Sequence, residues 1–304
     1  MKNIKLSFLF IFFPVLSIAW SAGGHNMGGA VAYYYLKQHH PDVLQKSMLS
    51  LQKHPWYQTR WADTIAKMDP ENKEVAIFML ASTWPDEVRK NPELGGGEKT
   101  KWHYINYPFA KMGDTVITTL PDKINAVEKL NSLVAILKTQ EESEAKAINL
   151  CWLFHILEDL HQPLHTIGLF DVQHPHGDRG GNDTYIKFGD TTAAIVLHGY
   201  WDRLIRGDFK QMPCMSKKIM KKYKYRNCLL KELKTNISVE DWVKKESWEQ
   251  AVTAAYRNGA INGTATFPTL VKRKPYDKMC RKIAERRVVL SGIRLAKILV
   301  FIYT

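Results

Sequence analysis

Histidine and aspartate side chains recur in this sequence at spacings that suit metal binding. His155 and Asp159 stand four residues apart in the stretch HILEDLHQPLH, and His198 and Asp202 repeat that spacing in HGYWD. On a helix, residues four apart lie on the same face. One such pair occurs easily by chance on a helix surface, but two pairs in one chain favour imidazole and carboxylate ligation of zinc.

Three further residues could complete such a centre. Pro163 ends or bends the helix that carries the first pair and so redirects His165. Asp86 lies in STWPDEVRK and His103 in KWHYIN. Each of the last two is also compatible with a plain structural role, Asp86 at a helix start behind a buried Trp84, and His103 as a core histidine.

The beginning of the chain has the pattern of a secretory signal. A short basic segment precedes LSFLFIFFPVLSIA, an apolar run that is too short to span a bilayer and that ends in small residues at the −3 and −1 positions. We predict a signal peptide over residues 1–19, cleaved between Ala19 and Trp20, and a secreted or periplasmic domain over 20–304. No later apolar run reaches 18 residues, so stable membrane insertion is not expected.

The chain is basic, with a formal charge of +13. Such a surface suits polyanions, which include nucleic acid, anionic lipid and phosphoesters, although a solvated surface has the same composition. The segment Lys217–Lys234 holds eight basic residues and one acidic residue, as either a footprint for a nucleic-acid strand or a solvated helix face. Of the four cysteines, Cys214 and Cys228 could close a short disulfide loop, and Cys151 fits a buried thiol.

Helical periodicity recurs along the chain, and one short strand is plausible at Thr184–Phe188. The pattern predicts an all-α fold in a single compact multi-helix domain. The predicted helices cover residues 25–39, 41–53, 57–67, 72–89, 121–139, 143–162, 198–206, 215–234, 239–258 and 276–301.

The order of the motifs resembles one known family. Trp-x4-His at the start of the mature chain is followed by Trp-Pro-Asp, Trp-His-Tyr, the HQPLH block, Gly-Asp-x-Gly-Gly-Asn and Leu-His-x2-Trp-Asp. This series is similar to the three-zinc class I nucleases of the S-one/P-one type, which are kin to zinc-dependent phospholipase C. The stretches WVKKES and SGIRLA resemble terminal segments of that family, so the resemblance spans nearly the whole mature chain.

The resemblance implies a fold of the phospholipase C and class I nuclease type with three zinc ions. By analogy, Trp20 binds one zinc through its free α-amino nitrogen and carbonyl oxygen, together with His25. Asp159 bridges this zinc to a second one, and the third has its own ligands. For the second zinc, the resemblance implies the further ligands Asp86, His103 and His155. For the third zinc, it implies His165, His198 and Asp202.

The resemblance also implies the activity. Family members cleave single-stranded DNA and RNA to 5′-phosphorylated products, and many remove 3′-phosphates from nucleotides. Asp86 would be the catalytic residue that orients the attacking hydroxide. Tyr104 would stack a base and Asn182 would hydrogen-bond it, although a packed tyrosine and a turn asparagine are the plainer interpretations. A monomer is expected.

Several positions depart from the family pattern. Asn106 replaces a base-site Asp of the fungal members, so their base preference is not transferred. Glu158 replaces the Gly that commonly precedes the bridging Asp; it points roughly 100° away from Asp159, which suits either a solvent-facing side chain or an altered pocket. Asp63, in RWADTI, imitates the Trp-Ala-Asp block, but it lies 40 residues before His103, whereas Asp86 lies only 17 before it.

Six histidines are not predicted to bind metal, and two functions are alternatives to a nuclease. His161 is not a ligand by analogy, and surface positions are expected for the other five, namely His39, His40, His54, His174 and His176. A zinc-dependent phospholipase C would share the metal cage, but its last ligand pair usually ends in Glu rather than in the aspartate found at 202. A non-catalytic zinc-storing or nucleic-acid-binding protein would not need Asp86.

Overall fold

A computed structural model describes residues 20–89, 97–110, 120–190, 192–224, 232–233 and 238–304. Within these ranges the chain is mostly helical, which confirms the all-α prediction. The α-helices are α1 Ala22–His39, α2 Pro41–Leu51, α3 Arg60–Ala66, α4 Lys73–Val88, α5 Ala126–Thr139, α6 Glu144–Asp159, α7 Leu197–Asp202, α8 Met212–Lys224, α9 Val239–Trp242 and α10 Arg273–Tyr303. Short 3₁₀ turns lie at Pro70–Asn72, Gly97–His103, Pro163–Thr166 and Phe209–Gln211.

Helix α6 and the segment after it run through the centre of the protein. The side chain of Ser143 caps the helix by accepting a hydrogen bond from the Lys146 backbone N–H at 3.2 Å. Every residue from Leu150 to Asp171 is buried. The helix ends at Asp159, and Pro163 begins a 3₁₀ turn that carries His165. The HQPLH block therefore lies in the core. The bend that Pro163 predicted is present, since the helix ends before this proline.

Helix α1 packs closely on the helices that carry the other candidate ligands. It contacts α4, α6 and the long C-terminal helix α10. A Cβ atom at Gly29 would lie only 2.6 Å from Ser82 Oγ of α4, so this crossing requires glycine. The close approach brings His25 of α1 next to α4 and α6.

Two small sheets were only partly predicted. Strand β1, Tyr107–Ala110, pairs in parallel with β2, Ile167–Phe170. The second sheet has the order β4-β3-β5 and consists of β3 Tyr185–Lys187, β4 Ile195–Val196 and β5 Thr269–Leu270. Strand β3 lies inside the predicted 184–188. The other strands have two to four residues, and the side chains of β2 are all buried, so no alternating pattern marks them.

The first sheet matters for the site because it follows two candidate ligands. The Ile105 backbone N–H donates to the His165 carbonyl at 2.8 Å, just before Tyr107 pairs with Ile167. The pairing therefore holds the segment after His103 against the segment after His165.

The C-terminal half differs from the prediction in two places. The predicted helix over 239–258 is continuous over 239–255, but two segments of it, Val243–Trp248 and Ala251–Ala255, are π-helical and not α-helical. The predicted helix over 215–234 is α8 as far as Lys224, and most of its remainder lies outside the described residues. Cys214 is exposed and forms no disulfide with any described residue, whereas Cys228 lies outside the described residues, so a disulfide between these two stays a prediction. Cys151 is buried, as expected.

A membrane-spanning element was not expected. In the part of the chain that the structure describes, no helix combines the length and the apolar character needed to cross a bilayer.

Candidate metal centre

Eight of the nine predicted metal ligands lie together as three groups of buried or nearly buried side chains. The groups are His25 with Asp86 and His155, His103 with His155 and Asp159, and His165 with His198 and Asp202. Within each group, one possible ligand atom of every residue lies within 4.8 Å of the others. The ninth predicted ligand, Trp20, would contribute main-chain atoms.

Asp159 of the second group also contacts a histidine of each of the other two groups. Its Oδ2 is 3.1 Å from both His103 Nδ1 and His155 Nε2. Its Oδ1 is 3.4 Å from His25 Nε2 and 3.5 Å from His165 Nδ1. Helical spacing places His155 and Asp159 on one face of α6, and the other contacts come from separate segments. The carboxylate is thus placed to be shared between neighbouring cations.

Three of the five histidines in these groups are fixed by a hydrogen bond from Nδ1 to a backbone carbonyl. The Nδ1 atom of His155 lies 2.8 Å from the Ser82 carbonyl, that of His165 lies 2.8 Å from the His103 carbonyl, and that of His198 lies 2.6 Å from the Gly180 carbonyl. A carbonyl only accepts, so Nδ1 carries the proton in each ring. Each Nε2 then presents a lone pair, as in metal-ligating histidines that donate to an outer partner.

Many of the nitrogen and oxygen atoms of these residues are buried and have no hydrogen-bond partner in the described structure, although His103 Nδ1 contacts both His155 Nε2 and Asp159 Oδ2. Burying such atoms unpaired costs about 1–3 kcal/mol each, and native proteins rarely leave them so. Metal ions would satisfy them together, so these residues fit the metal that the pattern predicts. The unpartnered atoms of the three groups are His25 Nε2, Asp86 Oδ1, His103 Nε2, Asp159 Oδ1, His165 Nε2 and Asp202 Oδ2.

The electrostatics of the centre favour cations. Burial opposes ionisation of Asp159, but His155 and His165 hold the pKa of that carboxyl well below its usual range. Burial likewise opposes protonation of His25, yet hydrogen bonds and charge from Asp159 and Glu158 raise its pKa to about 10. A metal ligated by His25 must displace that proton, so metal binding releases protons.

A glycine-rich loop holds His198 in place. Gly180 adopts φ +65° and Gly181 φ +85°, which lets the Gly180 carbonyl face the imidazole. The loop is anchored by the buried carboxylate of Asp178, which accepts hydrogen bonds from Thr184 Oγ1 and Tyr256 OH, both at 2.6 Å. The family-like Gly-Asp-x-Gly-Gly-Asn stretch therefore supports the third group.

Gln162 holds the aspartate of the third group. Its Nε2 donates to Asp202 Oδ1 at 2.7 Å, and its Oε1 accepts from the Leu164 backbone N–H at 2.6 Å. The sequence singled out the HQPLH block but gave no reason to name its glutamine.

Asp86 and Asp63 lie in different surroundings. Asp86 Oδ1 is 3.7 Å from His155 Nε2 and 4.0 Å from His103 Nδ1. Arg89, one helical turn later, places Nη1 3.8 Å from the same oxygen, a cation that sequence reasoning missed. Asp63 is exposed on α3 and belongs to none of the three groups.

The predicted substrate residues lie beside the ligands. Tyr104 follows His103 and is half-buried; burial, with Asp122, raises the pKa of its hydroxyl. Asn182 follows the loop that holds His198, and its Nδ2 donates to the Arg179 carbonyl at 2.8 Å, the contact of a turn asparagine. Base recognition by these two side chains stays a prediction.

The first residues of the predicted mature chain are fixed beside the third group. Trp20 is 1% exposed, and its indole packs so tightly on α1 that a Cβ atom at Gly24 would lie 2.6 Å from it. The Ser21 backbone N–H donates to the Asp202 carbonyl at 3.0 Å. An indole at this position is therefore part of the core.

Two of the histidines expected at the surface are buried. His54 stacks on Trp61 with the ring centroids 4.3 Å apart, and burial lowers its pKa to about 4. His174 donates from Nδ1 to Asp171 at 2.9 Å. The expectation is wrong for these two because Trp61 and Trp84 cover His54, while Asp171 and the Asp183 carbonyl engage the two ring nitrogens of His174. His39 and His176 are exposed, as expected, His40 is half-buried, and His161 lies outside the three groups.

Comparison with known proteins agrees with this geometry. The family model of the S1/P1 nucleases matches residues 20–304. Endonuclease 3 of Arabidopsis thaliana is 24% identical over 257 residues, which cover 76% of this chain and 78% of the relative. Endonuclease 5 of the same plant is 24% identical over 264 residues, 77% of this chain and 81% of the relative. The chain belongs to the S1/P1 nuclease family of metal-dependent phosphodiester hydrolases.

Proposed function

We propose that this nuclease is a three-zinc enzyme that hydrolyses single-stranded DNA and RNA to 5′-phosphorylated products and removes 3′-phosphates from nucleotides. The observation that carries the proposal is the set of buried, unpartnered nitrogen and oxygen atoms in three His/Asp groups of a chain that belongs to this family. Trp20 and His25 would hold one zinc, sharing Asp159 with a second zinc on Asp86, His103 and His155. The third would be held by His165, His198 and Asp202.

The chemistry needs an activated water and a place for negative charge. Zinc in such sites lowers the pKa of bound water towards about 7 and stabilises charge on phosphoryl and leaving-group oxygens. Asp86, whose Oδ1 has no hydrogen-bond partner, would accept a hydrogen bond from the attacking water and orient it. Arg89, beside Asp86, supplies a positive charge where a phosphate would bind.

Selectivity for single strands would follow from base contacts. Tyr104 and Asn182 lie on segments that directly follow His103 and the Gly180–Gly181 turn, so a base held by them would place its phosphate near the metals. Stacking on an aromatic ring needs an unpaired base but tolerates any sequence. Exposed lysines of α8 add positive charge for the strand, with Lys217 and Lys221 among them.

We further propose that the enzyme is exported as a monomer after cleavage between Ala19 and Trp20. The free α-amine made by this cleavage is the group that would bind zinc at Trp20. Until cleavage that nitrogen is an amide, which is a poor metal ligand.

The test is an activity panel on the purified chain that begins at Trp20. The substrates are single-stranded DNA, RNA, duplex DNA, a 3′-nucleotide and phosphatidylcholine, each with and without a chelator, alongside elemental analysis. We expect three zinc ions per chain, faster cleavage of single strands than of duplex, 5′-phosphate ends and loss of all activity with chelator. Fewer than three metals in active protein, or release of phosphocholine without nuclease activity, would contradict the proposal.

A further inference from the structure

Glu158 is a buried acid that the proposed metal chemistry leaves without a role. Its side chain is 2% exposed, although the residue precedes Asp159 and was compatible with a solvent-facing position. Its Oε2 is 2.7 Å from His25 Nδ1, and its Oε1 accepts a hydrogen bond from Ser82 Oγ at 3.0 Å. Both oxygens of the carboxylate are therefore engaged, each with a different helix.

The neighbouring helix leaves room for this side chain. A Cβ atom at Gly28 of α1 would lie 2.6 Å from Glu158 Oε1 and 2.8 Å from its Cδ. Gly28 is thus the position at which α1 passes over the carboxylate. The glycine on α1 and the glutamate on α6 fit each other, so the acid occupies a formed niche.

We propose that Glu158 is a positioning residue that fixes His25 as a metal ligand; this rests on the proposed metal centre. The short contact between Glu158 Oε2 and His25 Nδ1 is a hydrogen bond that His25 donates, which keeps the ring proton on Nδ1. The lone pair of His25 then lies on Nε2, 3.4 Å from Asp159 Oδ1. Backbone carbonyls do the same for His155, His165 and His198, whereas His25 uses the carboxylate of Glu158.

Metal retention tests this role separately from activity. Zinc-loaded wild type, Glu158→Gln and Glu158→Ala are dialysed against graded chelator, and bound zinc is counted by elemental analysis. Loss of an outer partner typically costs 10- to 100-fold in metal affinity. We expect Glu158→Ala to lose one of its three zinc ions at about 10- to 100-fold lower concentrations of free chelator than the wild type. Glu158→Gln should lose that zinc at a concentration between those of the wild type and Glu158→Ala, because its amide oxygen can still accept a hydrogen bond.

Gly28→Ala provides a steric test that keeps the charge. The new methyl group must push the carboxylate away from His25, so the variant should lose the same zinc as Glu158→Ala. Combined with Glu158→Ala, which empties the niche, Gly28→Ala should cause no further loss. Additive losses in the double variant would show that the two residues act independently and would overturn the proposal.

Asp171→Asn is the matched control, because Asp171 is also a buried carboxylate paired with a histidine, His174, outside the three groups. This variant should release its zinc ions at the same concentrations of free chelator as the wild type. Wild-type protein without bound zinc would refute the metal centre itself. Three ions held equally well by wild type and Glu158→Ala would refute only the role of Glu158.

A measurement on the wild type covers the case in which the variants do not fold. In ¹⁵N-histidine-labelled, zinc-loaded protein, NMR should show the proton of His25 on Nδ1 and the metal on Nε2. A His25 ring with its metal on Nδ1 would overturn the proposal.

Discussion

At the scale of single residues, Asp86 joins metal binding to catalysis. Asp86→Asn should lower kcat for single-stranded DNA roughly 100- to 10,000-fold, since it removes a ligand charge and the acceptor that orients the attacking water. Asp63→Asn, an exposed change on α3, should leave kcat and KM at wild-type values. Steady-state kinetics of both variants, with circular dichroism to confirm folding, make the comparison. A silent Asp86→Asn with an inactive Asp63→Asn would reverse the assignment.

At the scale of elements, the glycine-rich loop is the support of the third metal group. An alanine at Gly180 would strain a φ of +65° and place its Cβ 2.4 Å from the Leu164 carbonyl oxygen. Gly180→Ala should therefore shift the loop, release His198 from the Gly180 carbonyl, and weaken zinc binding by the third group about 10- to 100-fold. Zinc counting under graded chelator is the measurement.

Gly189→Ala is the control for backbone strain in that test. Gly189 also has a positive φ, +111°, but a Cβ there would meet nothing within 4 Å. Alanine at either site costs about 1–2 kcal/mol of conformational strain, so both variants should melt earlier, and only Gly180→Ala should lose zinc. Equal zinc loss by the two would show that strain, and not the contact with His198, matters.

A buried ionic network holds the π-helical segment Val243–Trp248, which packs against the Pro163–Thr166 turn. Glu246 accepts from Arg287 and from Arg294, whose Nη2 is 2.6 Å away, while Arg287 Nε donates to the His161 carbonyl at 3.2 Å. Arg287 is fully buried. Glu246→Gln should lower the free energy of unfolding by about 3–5 kcal/mol, because it leaves a buried guanidinium without its counter-charge.

The same network has a defined pH dependence. Burial alone would raise the pKa of Glu246, but Arg294 and Arg287 hold it below the ordinary value of 4.5. The stabilisation is therefore present above pH 4.5 and is lost as pH falls through the lowered pKa. Denaturant unfolding from pH 7 to pH 3 should show a smaller acid-induced loss in Glu246→Gln. Exposed Glu249→Gln should follow the wild type within about 0.5 kcal/mol.

At the scale of the whole molecule, activity should depend on how the chain is processed. A free α-amine has a pKa of about 7.7–8.0 and can bind zinc once deprotonated, whereas the amide of an extended chain cannot. Protein with a tag before Trp20 should lose the zinc held by Trp20 and His25 and most of its activity. Removal of the tag to leave Trp20 first should restore both. Equal rates and equal zinc content in the two forms would exclude the N-terminus as a ligand.

The sequence by itself determined the helical class and the local part of the centre. Helical spacing placed His155 beside Asp159 and His198 near Asp202, and Pro163 indicated the bend before His165. These features depend on residues within one or two turns, where backbone geometry decides which side chains meet. The motif order also predicted the family that the comparison confirmed.

Only the tertiary structure decided what surrounds the ligands. Glu158 meets His25 across 133 positions of sequence, and the carbonyls of Ser82 and Gly180 orient histidines 73 and 18 positions away. From the local sequence pattern, Glu158 could face either solvent or the pocket, and His54 was expected at the surface. Both side chains are buried, because burial of a polar side chain depends on partners that other segments of the chain supply. The π-helical turns and the shortest strands depend on the same long-range packing, since a few residues carry too little periodicity to specify them.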